Sequence, residues 1–503
     1  MLMPHCQKVE VSMPSICRVL GVRALLAGPG LLFGQTSSPF QPPAEALGLY
    51  VVNSGPGLDT SCTYRSGGPL IVQVKVPATM NEREVNADGT LSNSAKLVGS
   101  KIVGATARVR FPVFDIDSSG MMPGAQPETD KVTFNGKVIK NLQGVTDQWT
   151  DDSLTIPISD IKFDSPRSRG VVNELKIDID QANIGAGEFW CMSMDWVAIE
   201  FDAAAPIVLF HGINATASSW DQGDSPGFIA ALDAAGVLWE RFTTGTNARS
   251  ITNAADLTAK VGAFLAPLKA GKVNIIAHSK GGLDAQMMKW RGPPFKILSL
   301  TTFVTPHLGS PAADLSIVAY TAVDDRINVG ADPGGWVSTY VDQWTFGQGP
   351  QLPGLRDLTT YQATAAIAAG MRGNISPTFT IATDADGSGN FDLELAESAG
   401  LFPAAAHYVA RRSWVVVAIV ASAPIIRVAV VPGAFGGFFG TTRTQLTYRA
   451  NIVGYRPNDI VVSVPSAHPA YGTPFGTGKG FNHATIKQGF LATGVLPLIL
   501  PLR

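Results

Sequence analysis

Lysine and arginine form no run anywhere in this chain. Charged side chains make up only 16% of its 503 residues, and acid and base nearly cancel to a net charge of −2. Such a surface offers no footprint for nucleic acid, so that class of partner is not expected. Long apolar runs are missing too. The best contender, Val415 to Ile426, is short and interrupted by Pro424, with Arg427 just beyond, so no transmembrane helix is expected. Cysteine is scarce, limited to Cys6, Cys17, Cys62 and Cys191. Histidine is nearly as rare, with seven residues, which leaves few candidates for any role that needs an imidazole. Hydrophobic residues are not scarce. At 45% of the sequence they suffice for a large core, and the length suggests two domains.

Residues 1–38 read as a leader. Arg18 and Arg23 precede the apolar run Leu25 to Gly34, which resembles the middle of a signal peptide whose start is Met13. The expected location is therefore outside the cytoplasm, secreted or periplasmic. Removing the leader leaves Cys62 and Cys191. An oxidising compartment makes a disulfide between them the expectation, against the alternative of two buried thiols that never meet.

Residues 45–203 lack helical periodicity and alternate instead. Leu70 to Val76, Ala107 to Phe111 and Leu175 to Ile179 place apolar residues at every second position. Trp190, Met192, Met194 and Trp196 share one face of a further strand. Short strands separated by turn clusters predict an antiparallel β-sandwich of jelly-roll type. Its expected role is to shield the following domain, with binding of a carbohydrate, lipid or polymer surface as the alternative.

From residue 204 to 503 the pattern changes. Val273 to Ile276 is an apolar strand, Ala277-His278-Ser279-Lys280-Gly281-Gly282 is a sharp turn, and Leu283 to Lys289 is a helix. A strand running straight into a helix strains the apex residue, here Ser279, and needs small residues two positions away on each side, here Ala277 and Gly281. The helix behind the serine aims N–H groups at any developing oxyanion. An ordinary glycine-rich helix entry would look similar. Two further apolar strands, Pro206 to Phe210 before His211-Gly212 and Lys296 to Val304 before Thr305-Pro306-His307, predict a parallel sheet covered on both faces. Functional loops belong at the carboxyl ends of such strands.

These pieces resemble the secreted bacterial lipases and esterases of the α/β-hydrolase fold. The matching segments are PIVLFHGINATASSW, NIIAHSKGGLDA, LTTFVTPHLGSPAADL, PNDIVVSVPSA and GFNHATI, between about residues 205 and 495. The elbow is the Ala-x-Ser-x-Gly variant, with Ala277 in place of the more usual glycine. The resemblance implies an α/β hydrolase preceded by the β-sandwich, and a Ser, Asp, His order along the chain. Four histidines follow Ser279. His307 is structural by resemblance, His407 has no carboxylate near it in sequence, and His468 reads as a surface-loop residue. His483, before the apolar segment Ile486 to Val495, sits where the family has its last catalytic loop. Asp459 matches the family's acid, and Asp384, directly after the strand Thr378 to Ala382, is its rival. The oxyanion donors are the backbone N–H groups of Lys280 and, by resemblance, Ile213.

Two further features stand beside the triad. Asp384, Asp386, Ser388 and Asn390, with Gly389 as a turn residue and Glu397 in place of the usual twelfth-position glutamate, resemble a calcium loop. A turn that binds nothing is the alternative, and if Asp384 binds calcium the acid is Asp459. Residues 312–375 carry Trp336, Tyr340, Trp344 and Phe346 in the position of a cap or lid. The expected function is serine hydrolysis of carboxylic esters through an acyl-serine, lipase-like, on an ester or lipid substrate and with no cofactor in the chemistry. A polyester depolymerase with the same triad is the nearest alternative. A non-catalytic surface-binding protein that kept the fold is the alternative of a different class.

Overall fold

Alternation builds the first half of the protein. In β3 (Leu70–Val74), Leu70, Val72 and Val74 point into the core while Ile71 and Gln73 face out. The strands flanking it in sequence are β1 (Leu49–Val52), β2 (Thr63–Tyr64) and β4 (Val103–Phe114). Then follow β5 (Lys131–Phe134), β6 (Lys137–Asn141), β7 (Trp149–Pro157), β8 (Asn173–Asp178), β9 (Cys191–Met194) and β10 (Val197–Ala203). They form two antiparallel sheets. One has the order β1-β10-β4-β9-β2 with β7 also on β4, and the other is β3-β8-β5-β6. Leu70 lies opposite Ile177 and Val72 opposite Leu175, so the buried positions of β3 and β8 fall on one face.

These descriptions come from a computed structural model. It describes residues 38–55, 58, 63–117, 126–142, 144–183, 191–221, 227–310, 313, 352–384, 459, 461–481 and 483–502, and the backbone of three strands between 415 and 449. Residues 1–37 of the expected leader, Cys62 and Trp190 lie outside the described residues.

The second half is a parallel sheet. Strands β11 (Ile207–Phe210), β12 (Trp239–Phe242), β13 (Lys272–His278), β14 (Lys296–Phe303), β15 (Thr378–Asp384) and β19 (Thr473–Lys479) lie in the order β12-β11-β13-β14-β15-β19. Every neighbouring pair in it is parallel. The intervening β16 (Val415–Ala418), β17 (Ile425–Val430) and β18 (Gln445–Arg449) make a separate antiparallel sheet. The apolar run Val415 to Ile426 therefore contributes to two strands rather than to one helix.

Helices cover the parallel sheet on both faces. In β11, Val208 and Phe210 join the core formed with α3 (Ser250–Leu265) and α4 (Lys280–Trp290). Ile207 and Leu209 point the other way, to α2 (Phe228–Ala235) and α8 (Gly489–Ile499). That second core is continuous with the antiparallel sheets: Tyr50, Phe201, Leu209, Leu232 and Ile499 belong to one cluster. The remaining helices are α1 (Ser94–Gly99), α5 (Leu352–Leu358), α6 (Thr360–Ala368) and α7 (Val464–Ala467). α1 is the one α-helix described between residues 45 and 203, beside three short 3-10 turns, and its signal is local: Asn93 caps it by accepting from the Lys96 N–H.

One polar cluster stands out in the antiparallel half. Glu128 is 6% exposed and Asp130 is fully buried. Glu128 accepts from the Asp117 N–H at 2.8 Å, and Asp130 accepts from the Asp180 N–H at 2.7 Å. Burial first, then the charge of Asp130, pushes the Glu128 carboxyl up to about 9 from 4.5. A carboxyl raised in the folded state holds its proton more tightly there than in the unfolded chain. Its contribution is therefore complete below the unfolded value and is lost as pH rises from 4.5 toward 9. The melting temperature should decline between pH 5 and 9, and Glu128→Gln should remove part of that decline and raise the melting temperature at pH 8.5. An identical slope in the Gln variant would show that Glu128 is ionised in the fold.

Candidate active site

Ser279 is held in an elbow. Its backbone angles are φ 53° and ψ −127°, a region that residues with a Cβ rarely occupy. Two bonds fix it there: its N–H donates to the Phe303 carbonyl at 2.8 Å, and the Thr305 hydroxyl donates to its carbonyl at 2.7 Å. The turn closes only because its neighbours are small. A Cβ on Gly281 would sit 2.6 Å from the His211 carbonyl oxygen, and one on Gly212 would sit 2.9 Å from the Ser279 Cβ. The serine thus stands at the carboxyl end of β13, between β11 and β14, where α4 begins.

His483 and Asp459 complete a relay. His483 Nε2 lies 2.9 Å from Ser279 Oγ, and His483 Nδ1 lies 2.6 Å from Asp459 Oδ2. The imidazole is 16% exposed and the carboxylate 1%. The other carboxylate oxygen, Oδ1, accepts the N–H groups of Val461 and Val462. One oxygen therefore anchors the loop while the other holds the imidazole in the tautomer whose Nε2 can accept a proton from serine. Asp459 and not Asp384 is the carboxylate on His483 Nδ1. Asp384 ends β15, buried, with Lys479 of β19 opposite it.

The remaining described histidines are occupied elsewhere. His307 is fully buried between the Thr302 and Tyr471 hydroxyls, and burial lowers it to about 3, so it is neutral and structural. His468 bonds the Thr380 and Thr477 hydroxyls. His407 lies outside the described residues. His278 is a residue that sequence reasoning passed over. Its Nε2 donates to the main-chain carbonyl of His483 at 2.8 Å, so the residue preceding Ser279 holds the loop carrying His483. Burial, then Lys487, drives its pKa well below the usual value, which fits a neutral donor. No local pattern signals this contact, because its partner is a backbone atom 205 residues away.

Lys280 directly follows the serine, and Ile213 follows Gly212, whose backbone lies against Ser279. Lys280 is the first residue of α4, and a first-turn N–H has no partner within its own helix. Its side chain is buried, with the ammonium donating to Asp284 Oδ1 at 2.7 Å. Ile213 packs against Leu283 of α4, Ala313, and Leu355 and Leu358 of α5. Within the described part of the expected cap, residues 313 and 352–375, Ala313 and α5 therefore pack against the loop that carries Ile213. Trp336, Tyr340, Trp344 and Phe346 lie outside the described residues.

Of the expected calcium loop, Asp386, Ser388, Asn390 and Glu397 lie outside the described residues. Among those described, no group of three or more His, Cys, Asp or Glu is arranged to hold a metal ion. No described helix is long and apolar enough to cross a membrane. Cys191 is disulfide-bonded. The expected partner, Cys62, immediately precedes β2, which pairs with β9 through Tyr64 opposite Cys191.

No protein-family model matches the sequence. Over 144 residues, 27% of this chain, it is 32% identical to a triacylglycerol lipase of Pseudarthrobacter phenanthrenivorans and to one of Burkholderia plantarii. Those stretches cover 41% and 36% of the two proteins, so the match spans less than half the length of either curated relative. Among solved structures, a mature lipase of Bacillus licheniformis aligns at 20% identity with a TM-score of 0.38, over 59% of this chain and 92% of that one. A metagenomic carboxyl esterase aligns at 13% identity and a TM-score of 0.33, over 58% and 75%.

Proposed function

We propose that this chain is a serine hydrolase of the α/β-hydrolase kind that cleaves carboxylic esters, with acylglycerols or other fatty-acyl esters as its substrates. The observation that carries the reading is the relay of Asp459, His483 and Ser279 at 2.6 and 2.9 Å, ending on a serine at φ 53°. The likeness to triacylglycerol lipases supports the choice of ester. Ser279 Oγ attacks the ester carbonyl while His483 Nε2 takes its proton, and the oxyanion forms between the N–H groups of Ile213 and Lys280. His483 returns the proton to the leaving alcohol, leaving an acyl-serine. Water, activated by the same imidazole, then releases the acid and restores Ser279. Asp459 stabilises the imidazolium in both halves. No cofactor takes part in these steps, and calcium at the loop opening with Asp384 would be structural. The disulfide at Cys191 supports an extracytoplasmic location, and the antiparallel sheets serve as a covering layer.

Two measurements test this. A fluorophosphonate should label wild-type protein at Ser279 and at no other serine; labelling elsewhere, or none, removes the hydrolase reading. A series of p-nitrophenyl esters run beside an insoluble polyester film should show kcat/KM rising with acyl length and the film intact. Film erosion with a preference for short esters would instead support the depolymerase.

A further inference from the structure

A buried polar chain lies behind the two oxyanion donors, and the mechanism above does not use it. The Lys280 ammonium donates to Asp284 Oδ1 at 2.7 Å, one helical turn on, with the two side chains 1% and 4% exposed. Asp284 Oδ2 accepts from Asn253 Nδ2 of α3 at 2.8 Å, and the same amide donates to the Gly245 carbonyl at 3.1 Å. Gly245 belongs to a turn shortly after β12 that also grips the other donor loop. The Thr244 N–H donates to His211 Nε2 at 3.0 Å, and the Asn214 N–H donates to the Thr246 carbonyl at 3.1 Å. His211 Nε2 is thus an acceptor, so its Nδ1 carries the proton and donates to the Gly212 carbonyl at 2.7 Å. Burial, its largest cause, lowers the His211 pKa and keeps it neutral. The loop 211–214 with Ile213, and the first turn of α4 with Lys280, are therefore both tied to residues 244–246.

Desolvating an ion pair costs about as much as the pair's attraction returns, and an apolar pair of similar volume would hold α4 in place as well or better. Charge at this position needs a role other than adhesion. We infer that Lys280, Asp284 and Asn253 are positioning residues: they lock the start of α4 to the turn 244–246, and through it to Ile213, so that both N–H groups converge before charge develops on the substrate. Directional bonds set that spacing, whereas apolar contacts would let the helix end slide. An error of about 1 Å in such a site lowers turnover by about 100-fold. This inference rests on the hydrolase reading and adds to it a set of residues outside the relay.

The decisive variant replaces both charges at once, Lys280→Met with Asp284→Leu. It should fold, melt at or above the wild-type temperature, and keep KM for a p-nitrophenyl ester within about twofold, while kcat falls by about 10- to 100-fold. Affinity for an alkyl boronic acid, which forms a tetrahedral adduct on the serine, should fall by the same factor. Asn253→Ala cuts the tie to Gly245 with the ion pair intact and should lower kcat in the same direction, giving a second reading if the double variant does not fold. Folded protein in either variant with kcat within about threefold of wild type would overturn the inference. Failure of the underlying reading shows separately, as wild-type protein that the fluorophosphonate does not label.

Discussion

Ser279→Ala should fold normally and lose esterase turnover by about four to six orders of magnitude. The Ser279 hydroxyl pairs with His483 Nε2, whereas the bonds that shape the elbow come from the backbone, to the Phe303 carbonyl and from the Thr305 hydroxyl. Alanine keeps both of these backbone bonds. It meets the same steric strain at φ 53° as serine does, so the melting temperature should move by no more than a few degrees. The chemistry has no substitute for the lost oxygen, because the imidazole would then have nothing to activate but water at a poorly placed carbonyl. Turnover of p-nitrophenyl butyrate by purified variant, with circular dichroism to establish folding, is the check. A folded variant with near-normal turnover would place the nucleophile elsewhere.

Asp459→Asn should cost about 10⁴ in kcat with little change in KM. The asparagine oxygen can still accept the Val461 and Val462 N–H groups that Asp459 holds, so the loop keeps its shape. Its amide would then face His483 Nδ1 as a donor, forcing the proton to Nε2 and aiming an N–H at the serine that needs a base. The imidazolium would also lose its counter-charge. Asp384→Asn is the control, since Asp384 lies at the end of β15 opposite Lys479 and away from His483 Nδ1. Less than about a threefold change is expected there. The reverse ranking of the two variants would exchange their roles.

The elbow was legible in the sequence because its physics is local. Small residues at fixed offsets around Ser279, an apolar strand before it and a helix after it are all short-range signals. The alternating strands of the first half were legible for the same reason: period two survives in Leu70, Val72 and Val74 whatever they pack against. Strand β19 was not. Its sequence, Thr-Pro-Phe-Gly-Thr-Gly-Lys, has two glycines and a proline, residues that weaken a strand, and it is tolerated at the sheet edge, where among the described strands β15 is its one partner. The choice between Asp459 and Asp384 also exceeded the sequence, since both follow plausible strands or loops and only three-dimensional closure brings one of them to His483. The buried pair of Lys280 and Asp284 left a fainter trace. Opposite charges four residues apart on a helix usually mark a solvated face, and burial reversed that meaning.

The shared core has a consequence for synthesis. Tyr50 and Leu70, near the start of the described chain, lie in the same apolar cluster as Leu496 and Ile499, near its end. A ribosome making this protein from the amino terminus therefore releases the antiparallel strands long before the last part of that cluster exists. Contacts such as that between Asn274 and the Ile499 carbonyl, 225 residues apart, close late and slowly, because so much chain must be ordered first. Until α8 emerges, one face of the nascent molecule has its apolar side chains uncovered, and that interval is when chaperone binding or aggregation competes with folding.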